Sequence, residues 1–161
     1  SEIDHKKVVT GIAYSKGNAK VSIVGVVDKP GVAAEVFEPI GKNNINIDMV
    51  IQNTSFDGKK ANVTFTIKRE DLSKTLNLIE KNKQKLNYDK ITHDDKLGKV
   101  SIIGAGMQAA PAVTHKMFRS LANEKINILA ISTSEIKISV LIREDLTQKA
   151  VKTLHKAFEL N

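Results

Sequence analysis

The sequence predicts an α+β fold of two similar units, the first inserted within the second. Three observations predict it. The first is an internal repeat. Lys20-Val21-Ser22-Ile23-Val24-Gly25 returns as Lys99-Val100-Ser101-Ile102-Ile103-Gly104, and Ile45-Asn46-Ile47 returns as Ile126-Asn127-Ile128. Between them Pro30-Gly31-Val32 answers to Pro111-Ala112-Val113 and Phe37 to Phe118, while Arg69-Glu70-Asp71-Leu72 answers to Arg143-Glu144-Asp145-Leu146. The second observation is that the apolar period alternates between strand and helix spacing inside each repeat. The third is a strand-like run, Val8-Val9-Thr10-Gly11-Ile12-Ala13-Tyr14, that belongs to neither repeat.

Taken in order, VSIVGVV (21–27) alternates as a strand, and Gly31 to about Asn43 carries Val32, Val36, Phe37 and Ile40 at helical spacing. Pro39 and Gly41 weaken that helix late. INIDMVIQN (45–53) reads as a second strand, Asp57-Gly58 supplies hairpin-turn chemistry, and ANVTFTI (61–67) reads as a third. A helix beginning at Asp71 or Ser73 places Leu72, Leu76 and Ile79 on one face, and LNYDKITHD (86–94) reads as a fourth strand. The order β-α-β-β-α-β is the ferredoxin-like arrangement.

The second unit repeats this order with KVSIIGA (99–105), a helix over 113–125, INILAIS (126–132), a turn near Ser134, IKISVLI (136–142) and a helix over 144–158. It then ends one strand short, which would leave an exposed sheet edge. The orphan N-terminal run can fill that place. The expected boundaries are therefore 16–96 for the first unit, and 97–161 with a strand over 7–15 for the second.

Composition narrows the chemistry. With 161 residues and 41% hydrophobic content the chain can build a core. No run approaches the roughly 20 apolar residues that span a bilayer, and SEIDHKKVV lacks a hydrophobic signal core, so a cytoplasmic protein without a membrane partner is expected. The absence of cysteine excludes disulfides, thiolate catalysis and Cys-based zinc sites. A net charge of +7 would suit a nucleic-acid binder. However, the lysines are dispersed, the densest group (Lys81, Lys83, Lys85) sits at a helix end, and with no Trp and two Tyr a base-stacking platform is lacking, so no nucleic-acid partner is expected. His5, His93, His115 and His155 fall at no metal-ligand spacing, and Gly104-Ala105-Gly106 lacks the glycine and lysine of a phosphate loop. No catalytic residue, metal or cofactor is expected in this chain.

The stretch DKPGVAAEVFEPI (28–40) is where a ligand is expected. A strand breaks into a helix at Pro30-Gly31, and the amides of Gly31, Val32 and Ala33 at the helix start suit a carboxylate. Gly31 lets a ligand approach the backbone. An amino acid's ammonium would need acceptors, for which Asp28 and Asp48 are candidates, and Gln52 and Ser55 could select its side chain. A plain turn at 28–31 and a solvated Asp48 are the competing structural explanation.

Several motifs carry a family resemblance: VVDKPGVAAEVF, NINIDMVIQNTS, KVSIIGAGM, ISTSEIKISVLI, and the closing run Thr153-Leu154-His155-Lys156-Ala157-Phe158-Glu159-Leu160. Over nearly its whole length the chain resembles the paired ACT domains at the C-terminal end of aspartate kinase. This enzyme phosphorylates the side-chain carboxylate of aspartate at the head of the lysine, threonine and methionine pathway. The family's catalytic domain, with its Lys-Phe-Gly-Gly motif, is not in these residues, so the resemblance implies a regulatory piece, with ATP used only by that other domain. Some aspartate kinases also make this region separately, as a small subunit that pairs with a catalytic one.

The resemblance implies feedback inhibition by lysine, threonine or both, bound where the first unit of one chain faces the second unit of another in a homodimer. By position, the first unit would contribute Asp28, Gly31, Val32, Ala33, Asn46, Ile47, Asp48, Gln52 and Ser55. The second would contribute Val113, Thr114, Asn127, Ile128, Thr133, Ser134 and Glu135. One loop departs from the family pattern Gly-Met-(Arg/Lys)-Ser-His-Pro-Gly-Val. Here it reads Gly106-Met107-Gln108-Ala109-Ala110-Pro111-Ala112-Val113, with Ala112 in place of glycine. Two alternatives share the fold: a free-standing amino-acid sensor of another pathway, and a basic nucleic-acid-binding module.

Overall fold

The computed structural model describes residues 8–107 and 110–160. Lys7 and Asn161, at the expected limits of the second unit, and Gln108 and Ala109 of the departing loop lie outside the described residues. The chain divides into two compact units, residues 17–95 and residues 8–16 with 96–160.

The inner unit contains the second half of strand β1 (Val9–Val27), helix α1 (Val32–Lys42), strands β2 (Val50–Thr54) and β3 (Lys60–Lys68), helices α2 (Leu72–Lys81) and α3 (Lys83–Leu86), and the first half of β4 (Lys90–Gly104). Its strand order is β2-β3-β1-β4. Antiparallel register sets Val21 opposite Phe65 and Ile23 opposite Val63. Period-2 alternation then puts these side chains on one face, where Val32, Val36 and Ile40 of α1, with Leu72 and Ile79 of α2, close the core. Phe37 meets Phe65 edge-on at 5.3 Å between ring centroids.

The outer unit uses the first half of β1 and the second half of β4, with α4 (Pro111–Asn123), β5 (Ala130–Thr133), β6 (Lys137–Arg143) and α5 (Thr147–Ala157), in the order β1-β4-β6-β5. Both units thus have the ferredoxin-like arrangement, and the N-terminal strand completes the outer one. Val9 is buried there with Val100, Ile102, Met117, Leu121 and Ile138. Thr10 donates its hydroxyl to the Ile103 carbonyl at 3.3 Å. Gly104 is required at this junction because the Val8 carbonyl occupies the space a Cβ would take.

Two pairs of separately expected strands are each continuous. β1 runs 19 residues through Ser15–Asn18, and β4 runs 15 residues through the polar stretch at 93–96. Polar residues interrupt the apolar alternation without interrupting backbone pairing, so the sequence pattern shows gaps that the ladder does not have. Conversely, β4 begins at Lys90 rather than at Leu86, because Lys83–Leu86 form the short helix α3, and β2 and β5 also start later than expected. The Asp48 amide donates to the Thr66 carbonyl at 3.0 Å, but the Met49 amide donates to the Thr66 hydroxyl, also at 3.0 Å. A side chain thus replaces the ladder acceptor, and regular pairing begins only at Val50.

Helix α1 passes through Pro39 and ends at Lys42, its end tied by Asn43 Nδ2 donating to the Pro39 carbonyl at 2.7 Å. The repeat extends to its termination: Asn44 and Lys125 occupy equivalent places with φ of 59° and 60°. The Ile45 and Ile126 amides return to Ile40 and Leu121 in the same way. Among the described residues no helix is long and apolar enough to cross a membrane.

Candidate functional site

The inner unit's site begins where β1 stops. The Asp28 amide donates to the Lys59 carbonyl at 2.9 Å, fixing the residue against β3, and Thr54 Oγ1 lies 3.4 Å from Asp28 Oδ2 as donor. The chain then turns through Pro30 into Gly31, whose φ of 90° lies in the left-handed region that glycine alone adopts without strain. Apart from its two chain neighbours, no residue comes within 4 Å of where a Gly31 Cβ would be, so the space over the helix start is open. Of the three amides expected to face a ligand, that of Val32 instead donates to the Lys29 carbonyl at 3.2 Å. Closing the Pro-Gly turn consumes it. Gly31 and Ala33 are exposed at the helix end, and the Val32 side chain is in the core.

Strand β2 carries the next group. Gln52 pairs with Val63 and Thr54 with Ala61, so both project from the face that also carries the buried Val63 and α1. Both are exposed on this edge strand, at the end nearest Asp28. Ser55 lies one residue beyond β2, and its hydroxyl is committed to the hairpin. It donates to Asp57 Oδ1 at 2.7 Å and accepts from the Lys60 amide at 3.0 Å. The Lys59 amide and then the Ser55 hydroxyl, donating to Asp57, hold its carboxyl below the usual aspartate range.

Asp48 does not join Asp28. Its amide meets Thr66, whereas Asp28 stands level with Thr54, six residues further along. At about 3.3 Å per residue that is about 20 Å. Exposed Asn46 and half-buried Ile47 stand beside Asp48, so the inner unit's candidates form two groups at opposite ends of β2. Asp28, Gly31 and Ala33 stand at the helix start, with Gln52 two residues along β2 from Thr54 on the same face; Asn46, Ile47 and Asp48 stand at the strand start.

The outer unit divides in the same way. The Met107 amide donates to the Glu135 carbonyl at 2.8 Å and the Gly104 amide to the Ile136 carbonyl at 2.9 Å, tying the loop before α4 to the β5–β6 turn. Thr133, Ser134 and Glu135 are therefore grouped with the α4 start. Ser134 is used within its turn, its amide reaching the Lys137 carbonyl at 2.8 Å. Thr114 is half-buried and Val113 is a core residue. Asn127 and Ile128 lie at the opposite end of β5, with Ile128 packed against the core.

The sequence reading passed over Thr54, whose hydroxyl lies 3.4 Å from Asp28, although period-2 spacing from Gln52 points to it. It placed a hairpin turn at Asp57-Gly58, and the Asp57 carboxylate also braces that hairpin.

The ACT domain family model matches residues 21–82 and 100–158. The aspartokinase of Corynebacterium efficiens is 45% identical over 154 residues, which cover 95% of this chain and 37% of that protein. The chain thus spans little more than a third of the length of that relative. Among solved structures, aspartokinase alpha and beta subunits give a chain 43% identical, with a TM-score of 0.86, covering 94% of this chain and 99% of that one. The ligand-free regulatory subunit of aspartate kinase from Thermus thermophilus is 33% identical at a TM-score of 0.88, with the same coverage. Two ACT units in the ferredoxin-like order, one inserted in the other and matched end to end by such a subunit, show that the chain belongs to the ACT-domain regulatory region of aspartate kinase.

Proposed function

We propose that the chain is an allosteric amino-acid sensor that mediates feedback inhibition of aspartate kinase by lysine, threonine or both. Its partner is the catalytic aspartate kinase subunit, an ATP-dependent phosphotransferase acting on the aspartate carboxylate. The observation that carries this reading is the open helix start at Gly31, flanked by Asp28 and Gln52. A free amino acid presents a carboxylate and an ammonium close together. The amides of Gly31 and Ala33 suit the first and Asp28 the second, with Gln52 beside the side chain.

The separation of each unit's candidates supports a site completed by a second chain. A gap of about 20 Å exceeds the length of any single amino acid, so the helix-start and strand-start groups of one unit do not share a molecule. A second copy of the chain supplies the missing contacts. An effector that binds the paired state better shifts the population toward it, by no more than that difference in affinity.

Calorimetric titration with threonine, lysine, methionine and the lysine–threonine pair tests this. Saturable binding of lysine or threonine is expected, weakened by more than about 1 kcal/mol in Asp28→Ala and in Asp48→Ala. Binding of an amino acid outside the aspartate pathway, with none of these, would favour a free-standing sensor. No heat with any ligand from folded protein, alone or with the catalytic subunit, would reject the reading.

A further inference from the structure

Because the units are repeats of one fold, each serves as a reference for the other. In the inner unit, helices α1 and α2 balance Glu35, Glu38 and Glu80 against Lys42, Lys74 and Lys81. Their counterparts α4 and α5 carry Lys116, Arg119, Lys149, Lys152 and Lys156 and no carboxylate at all. A surface groove of about 600 Å³ lies at these two helices, lined by Ser120, Asn123, Lys149, Lys152, Thr153, Lys156 and Ala157 and by one carboxylate, Glu124, just past the end of α4, so that three ammonium groups face one acid.

The arrangement works against helix stability. Lys149 stands in the first turn of α5, the end where the helix dipole disfavours a cation. Lys149–Lys152 and Lys152–Lys156 are like-charge pairs at i,i+3 and i,i+4, a spacing at which like charges repel across one helix face. Solvation alone gives no reason for three cations to converge on one groove.

We propose that this groove binds a compact polyanion of the oligophosphate class. Three ammonium groups spread along about 10 Å of helix (1.5 Å per residue) can engage several phosphoryl oxygens at once, and the Asn123 amide can donate beside them. The Ser120 and Thr153 hydroxyls donate to the Lys116 and Lys149 carbonyls at 2.6 and 2.7 Å, so they offer only their lone pairs, and the lysines carry the binding. The lining contains no aromatic and no branched apolar side chain. A protein interface core is rich in aromatics and depleted in lysine, and a surface for single-stranded nucleic acid uses stacking partners. The groove fits neither. This proposal is independent of the amino-acid reading.

Titration calorimetry with inorganic triphosphate at physiological ionic strength is the test. Saturable one-to-one binding is expected, weakened about tenfold or more in Lys152→Glu/Lys156→Glu, the scale of losing charged hydrogen bonds. The same charge change in the inner unit, Lys81→Glu/Lys85→Glu, is expected to leave affinity unchanged. If the reversed variant melts early, Lys152→Gln/Lys156→Gln replaces it, with the same direction of effect. Absence of saturable binding, or equal losses in the two charge-reversed variants, would overturn the proposal. So would binding of poly-glutamate but not triphosphate through the same lysines, which would mark the groove as a protein-docking surface.

Discussion

Asp57 is wholly exposed, yet it organises the hairpin that follows the candidate site. Its carboxylate accepts from the Lys59 amide at 3.0 Å and the Ser55 hydroxyl at 2.7 Å. These bonds favour the charged form, so its pKa is lower in the folded chain than in the unfolded one. A depressed carboxylate stabilises above its unfolded value, and this contribution disappears as pH falls through the folded value. An NMR titration of the Lys59 amide is therefore expected to show a transition below the ordinary aspartate value of about 3.9, absent in Asp57→Asn. A transition at or above that value would contradict the bracing role. At this scale the sequence was informative about residue type and less so about partners. Gly31 was identifiable from Pro-Gly at a strand-to-helix break. The commitment of Ser55 to Asp57, and of the Val32 amide to Lys29, depends on turn geometry that residue spacing does not encode.

At the scale of elements, the four strands and two main helices of each unit were legible, because amphipathic period follows from burial on one face, whereas the short helix α3, whose last residue Leu86 was read as strand, was not. Boundaries were less so. The start of β2 depends on one threonine hydroxyl that intercepts the Met49 amide, and the continuity of β1 and β4 depends on backbone pairing that polar residues conceal. The N-terminal strand was deduced from a missing edge, and its seat is tight. Gly104→Ala would place a methyl group against the Val8 carbonyl, beside the Ala105 amide that donates to the same oxygen at 3.2 Å. A loss of about 1–3 kcal/mol in denaturant unfolding is expected, the scale of overpacking a close contact. Gly11→Ala, where nothing lies within 4 Å of the new methyl, is the control and should cost far less. Equal effects at the two positions would mean that Val8 does not hold this place in solution.

At the scale of the molecule, the repeat made the insertion visible. The inner unit, residues 17–95, has its own core of Val21, Ile23, Val36, Ile40, Val63 and Phe65. Produced alone, it is expected to melt cooperatively with native-like circular dichroism, as a unit with its own core should. A non-cooperative melt would show that the cores are not independent. The sequence could not show that each unit's candidate residues separate by the length of an edge strand, because that distance appears only once register is fixed. This separation makes the central claim testable in one measurement, amide NMR of the chain titrated with threonine and with lysine. Gly31 and Ala33 at the helix start, and Asn46 and Asp48 at the strand start, are predicted to shift together with one apparent affinity as the chain dimerises. Shifts confined to one group without dimerisation, or no shift in either group from folded protein, would contradict an effector site built from two chains.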